Sequence, residues 1–213
     1  MSRPEPEPDL TTTSYALLGL LALRPWTTYE LAQQMDRGLS SFWPRARSNL
    51  YAEPKRLVAL GLAKATTQHV GRRPRTVYTI TAAGRRSLAR WLKTPGGAPS
   101  LEWEQLVQVF FADAGTKTDL LATLREVAAW SEQQNRFHRQ RARAYLDGEG
   151  PFPERRAIQA LTGAFLSDFA AMVGTWATQA ITDVAAWPDE VGGAPADLEV
   201  FRRIAAHGSV SQH

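Results

Sequence analysis

Arg45, Arg47, Ser48 and Asn49 lie within five positions of one another, and Tyr51, Lys55 and Arg56 follow directly. A guanidinium fork can hold the O6 and N7 edge of guanine, and an asparagine amide can hold adenine. Each well-made pair is worth roughly 1–3 kcal/mol of discrimination. Tyr51, Lys55 and Arg56 suit phosphates or support. A second basic cluster, Arg72, Arg73 and Arg75, sits in the stretch Gly71–Arg75 and could follow a phosphate backbone or enter a narrow minor groove. Either cluster alone is commonplace solvated surface. Together they point to a polyanionic partner. Nothing comparable points to catalysis. The four histidines, His69, His138, His207 and His213, are scattered without metal-ligand spacing, and no Gly-rich phosphate loop follows a strand. Glu102 and Glu104 stand at i, i+2 and face different sides of a helix. There is no cysteine, which excludes disulfides, thiolate metal sites and a cysteine nucleophile. No enzyme activity, cofactor or metal is expected.

The elements that would position these residues are readable in outline. Thr11–Ser14 offer caps for a mostly buried helix over 15–23, which Pro25 ends. Thr27 and Glu30 have the spacing of a capping box and predict a second helix from about Thr28 to Arg37, closed by Gly38. Pro44 suits the first position of a third helix, in which Leu50, Leu57 and Leu60 share one side. Pro54 then falls inside that helix, so a bend after its first two turns is expected. Residues 62–70 and 76–80 read as strands around the turn Gly71–Arg75, and residues 81–92 as a fourth helix. Pro95–Pro99 is a linker.

Beyond the linker the pattern is helical: 101–114, 117 to about 147, 154 to about 186, and a short helix from about 197 to 206. In the third of these, Ile158, Leu161, Phe165, Phe169, Met172 and Trp176 fall at spacings near the 3.5 repeat of a packed helical seam. The expected class is mainly α: a winged helix-turn-helix with a two-stranded β wing over 11–94, after a disordered, proline-rich and acidic leader (1–10), then a helical dimerisation or effector domain over 100–207. Charge divides the same way. Between Leu10 and Thr94 fourteen lysines and arginines stand against three carboxylates, and between Pro95 and His213 ten stand against fifteen. The front half is built to meet a polyanion and the back half is not. No unbroken apolar run reaches the roughly 18 residues of a membrane span, and the leader lacks the basic and apolar segments of a secretory signal. A cytoplasmic protein with no membrane partner is expected.

Ser14-Tyr-Ala-Leu-Leu-Gly-Leu-Leu, Tyr29-Glu-Leu, Leu50-Tyr51, Lys55-Arg56-Leu57, Leu60-Gly-Leu62 and Arg75-Thr-Val-Tyr-Thr-Ile-Thr-Ala-Ala-Gly84 together resemble the PadR family of bacterial transcriptional regulators. The likeness covers residues 14–92 closely and the remainder in outline, as in the longer members with a helical dimerisation region. It implies a homodimer on a double-stranded DNA operator, usually a repressor and often relieved by a small aromatic or drug-like effector. It also implies that Arg45–Tyr51 meets the major groove and Gly71–Arg75 forms the wing. The chain departs from the commoner pattern at Ala52-Glu53-Pro54. Seven tryptophans are many for this length. Trp103, Trp130 and Trp176 in the back half and Trp91 at the junction are candidates for lining an effector cavity, with filling of core and dimer interface as the alternative. Rival readings are a non-specific architectural DNA binder and a winged protein-interaction adaptor.

Overall fold

The computed structural model describes residues 9–43, 51–70 and 73–206. They divide into two compact units, Met1–Pro99 and Ser100–His213.

The front unit opens with α1 (Thr12–Leu23). Its N-cap Thr11 and Ser14 form a reciprocal capping box, and Leu17, Leu18 and Leu21 are buried. Pro25 cannot continue the helix. A two-residue strand, β1 (Trp26–Thr27), follows, and Trp26 is 1% exposed with its indole N–H donated to the carbonyl of Leu20 at 2.7 Å. The expected Thr27/Glu30 box then starts α2 (Thr28–Gly38), which buries Leu31 and Met35.

The next helix differs from expectation. Its described part, α3 (Glu53–Ala59), begins nine residues beyond Pro44, and Pro54 occupies its first turn. There the missing N–H would have had no helical partner anyway. Pro54 therefore sits where the described helix begins, and the first turns of the expected helix, over 44–50, lie outside the described residues. Leu57 is fully buried, whereas Leu60 is its half-exposed C-cap.

Strands β2 (Ala63–Val70) and β3 (Arg73–Ile80) pair along their whole length, from Ala63 with Ile80 to Val70 with Arg73. Arg73, Pro74 and Arg75 were expected in the turn and instead belong to β3. The long pairing register draws them in, and Pro74 is tolerated because that end of β3 is bonded on one side only. On its other side β3 pairs with β1, Tyr78 against Trp26 and Val77 against Thr27, giving a three-stranded antiparallel sheet in the order β1-β3-β2. The third strand was not foreseen, because two residues carry no periodicity. Thr81 caps α4 (Ala82–Trp91). A Cβ on Gly84 would lie 2.2 Å from the carbonyl oxygen of Leu62, so only glycine fits where α4 crosses the start of the wing.

In the back unit the expected helix over 101–114 is shorter: α5 (Glu104–Phe110) followed by a 3-10 turn at Ala112–Ala114. Helices α6 (Lys117–Leu146) and α7 (Arg156–Ala185) are 30 residues each and antiparallel: the ammonium of Lys117 donates to the carbonyls of Ala185 and Trp187. Leu120, Leu124, Val127 and Ser131 meet Ala170, Val173, Ala177 and Val184 between them. The Ser131 hydroxyl donates to the carbonyl of Ala170 at 2.6 Å, and a Cβ on Gly174 would sit 2.3 Å from that hydroxyl. The helices touch nearly backbone to backbone there. Consequently Leu161, Phe165 and Met172 of the expected α7 seam turn outward, 72%, 65% and 59% exposed, while Phe169 stays partly buried against Val127, Val173 and Ala177. The helical segment Pro153–Ala185 is long and apolar enough, by length and composition, to cross a membrane, although polar residues interrupt every apolar run. A last helix, α8 (Leu198–Ala206), exposes Leu198, Phe201 and Ile204.

Candidate nucleic-acid interface

Two hydrogen bonds tie the first turn of α1 to the chain on either side of the base-reading candidates. The indole N–H of Trp43 donates to the hydroxyl of Thr13 at 3.1 Å. The hydroxyl of Ser14, wholly buried, donates to the Glu53 carboxylate at 2.5 Å. That carboxylate also accepts from the Arg56 guanidinium at 3.1 Å, and Arg56 reaches on to the carbonyl of Asp9. A buried carboxylate is tolerable only when its oxygens are satisfied in this way. Arg45, Arg47, Ser48 and Asn49 lie outside the described residues. Of the remaining candidates near them, Tyr51 is 68% exposed and so is not core, Lys55 projects from the face of α3 opposite Glu53, Pro54 and Leu57, and Arg56 is exposed at the edge of that buried face, where Glu53 holds its guanidinium.

On the wing, Arg75 is exposed opposite Gln68. Arg73 is in β3, and Arg72 lies outside the described residues. Lys64 through Gln68 are exposed, so most of β2 packs against nothing but its partner strand. Arg85, Arg86 and Arg90 line the exposed side of α4, a basic contribution that the sequence does not single out because neither a turn nor a helix start marks them. Arg85 also reaches the carbonyl of Ala22 at 3.4 Å.

The four effector candidates divide between the two units. Trp91 stacks on Tyr15 inside the front unit, ring centroids 4.8 Å apart and nearly parallel. In the back unit Trp103 meets Trp176 edge to face at 5.7 Å, and Trp130 meets Phe169 at 6.4 Å. Trp103 and Phe169 both pack on the cluster of Val127, Val173 and Ala177. An open groove of about 730 Å³ runs past Trp103, lined by Leu106, Val107, Phe110 and Phe111. Another, of about 840 Å³, follows the α6–α7 crossing past Ser131, Asn135, Thr175 and Thr178. His138 on α6 is partly buried. Its pKa is lowered by that burial and by the nearby Arg141, which favours the neutral ring.

Comparison with known proteins bears on both units. The profile described as "Transcriptional regulator PadR-like family" matches residues 17–90, and that described as "Virulence activator alpha C-term" matches residues 103–185. The probable transcriptional regulator Rv1176c of Mycobacterium tuberculosis is 35% identical over 83 residues, 38% of this chain and 43% of that protein. The negative transcriptional regulator PadR of Bacillus subtilis is 32% identical over 79 residues, 37% of this chain and 43% of that protein. These alignments thus span less than half the length of either relative. Among solved structures, B. subtilis PadR in complex with operator DNA superposes with a TM-score of 0.71 at 18% identity, over 82% of this chain and 99% of that one. The same protein in complex with p-coumaric acid superposes with a TM-score of 0.65 over the same shares. At that identity the likeness establishes the fold: a winged helix followed by a helical region.

Proposed function

We propose, from the match of residues 17–90 to the PadR-like family of transcriptional regulators, that this chain is a sequence-specific DNA-binding regulator, a homodimer that represses. The observation that carries the reading is the exposure of Tyr51, Lys55, Arg56 and Arg75 on the helix and the hairpin of one winged unit. In this reading Arg45, Arg47, Ser48 and Asn49 read base edges in the major groove. Tyr51, Lys55, Arg56, Arg72, Arg73 and Arg75 hold phosphates, each neutralised phosphate adding about 0.9 to the log–log salt slope. The back unit pairs two copies so that two half-sites are read at a fixed spacing. A small aromatic effector releases the DNA. B. subtilis PadR has been solved both with operator DNA and with p-coumaric acid, and the Trp103–Trp176 pair beside the apolar groove is the best-placed surface for such a ring among the four tryptophans named above.

The test is competition binding at several salt concentrations, on the duplex upstream of the protein's own gene and on duplexes selected by the protein from a random pool. A regulator keeps its preferred duplex against a large excess of unrelated DNA. Arg47→Ala should lower affinity for the preferred duplex about tenfold or more while leaving binding to unrelated DNA nearly unchanged. Equal loss on both would assign Arg47 to phosphate contact. Binding that the competitor abolishes throughout would make the protein architectural, and absence of binding at low salt would make it an adaptor.

A further inference from the structure

We propose that the first turn of α1 is a positioning clamp for DNA reading, in which Thr13 holds the chain at Trp43 and Ser14 holds it at Glu53. The inference rests on the DNA-reading function proposed above and adds residues that touch no DNA in it. Thr13 and Ser14 are neighbours, and their two bonds, 3.1 Å to Trp43 and 2.5 Å to Glu53, fix where the chain leaves α2 and where it enters α3 relative to one point. That point is anchored in the core. Ser14 is wholly buried and belongs to the Thr11 capping box, and the turns of α1 beyond it carry Leu17, Leu18 and Leu21 in the core.

Glu53 gives the clamp its chemistry. Its carboxylate is 8% exposed, accepts from Ser14 on one side and Arg56 on the other, and lies in the first turn of α3 beside the buried ring of Pro54. An acid in that position costs more in desolvation than an apolar residue would. Its partners give it a role that an apolar residue could not fill: it orients the Arg56 guanidinium and indexes the helix against α1 by a short directional bond. A core of leucines supplies stability without fixing rotation or register so narrowly. DNA reading needs that precision, because bidentate contacts fail when donors move by about an ångström.

The energetic consequence is a population effect. If losing one clamp bond leaves the reading surface correctly placed a tenth of the time, apparent affinity for the preferred duplex falls about tenfold, since only the competent fraction binds. Binding to unrelated DNA depends on total charge and tolerates such displacement.

The experiment uses the full chain and a duplex selected by the wild-type protein. Ser14→Ala and Thr13→Val each delete one hydroxyl with little change in volume. Glu53→Gln keeps an oxygen that can accept from Ser14, and Glu53→Ala keeps none. Each variant is assayed well below its melting temperature against the selected duplex and an unrelated one. We expect Ser14→Ala, Thr13→Val and Glu53→Ala each to lose about tenfold on the selected duplex and under twofold on the unrelated one. Glu53→Gln should recover most of the loss seen in Glu53→Ala. Parallel loss on both duplexes, or unchanged preference in folded Ser14→Ala and Thr13→Val proteins, overturns the clamp and leaves the regulator reading standing. A wild-type protein that selects no duplex overturns both.

Discussion

Glu30 shows how much one side chain does at a helix start. Its carboxylate accepts from the backbone N–H and the hydroxyl of Thr27, both at 2.8 Å, and stands 3.6 Å from Arg24. The backbone bond from Thr27 is the main cause holding its pKa below the usual carboxylate value, with burial opposing and the Thr27 hydroxyl and Arg24 assisting. A lowered folded-state pKa stabilises the fold above the unfolded value near 4.5, and that contribution is lost as pH falls through the lowered one. Glu30→Gln should therefore cost about 0.5–1 kcal/mol at pH 7, at the modest end for a cap because the side chain is 39% exposed and solvent screens it. The cost should shrink toward pH 3, and urea unfolding at the two pH values measures the difference. This pair was legible in the sequence because its members are three residues apart. The Ser14–Glu53 bond was not, since its partners are 39 residues apart and an acid beside a proline reads as surface. The place of Pro54 in the first turn of α3 was not legible for a related reason: its meaning depends on where the helix begins.

Helices α6 and α7 show the same limit one level up. The 3, 4, 4, 3, 4 spacing of large residues on α7 is plain in the sequence and predicts a packed seam on that side. The buried stripe is instead Ala170, Val173, Ala177 and Val184, because the antiparallel crossing at Ser131 and Gly174 is too close for larger groups. Periodicity locates apolar faces but does not say which one the chain covers itself when a helix has two. The close approach makes a prediction of sign. In an exposed helix Gly→Ala gains about 1 kcal/mol. Here Gly174→Ala must push the crossing apart and should instead destabilise by about 1–3 kcal/mol, lowering Tm at unchanged m-value. A rise in Tm would show that Ser131 gives way freely.

For the molecule as a whole, the outward face of α7 sets the expectation. Ile158, Leu161, Phe165 and Met172 are each more than half exposed, together with Phe110 and Phe111 of the same unit. Large apolar side chains exposed in this number are seldom left to water, and a second copy covering them fits the symmetric dimer proposed above. Melting temperature should then rise with protein concentration, as it does for any fold linked to association. Leu161→Glu, which alters a side chain 72% exposed within the chain, should abolish the concentration dependence and shift the sedimentation coefficient to that of a single chain. A variant that still melts in a concentration-dependent way would place the interface on another face. The charge division, basic before the linker and acidic after it, was legible in the sequence, whereas which large residues of α7 the chain leaves exposed was not.

The two-residue strand β1 has a consequence in time. Trp26 pairs with Tyr78 and Thr27 with Val77, so the middle strand of the sheet gains its second partner only when segments about fifty residues apart have met. The wing and the corner between α1 and α2 therefore cannot mature one after the other. On the ribosome the front unit must wait, unfinished, until Ile80 has emerged. Thereafter it closes as one cooperative body, at a rate governed by that long-range encounter and not by its fast local helices.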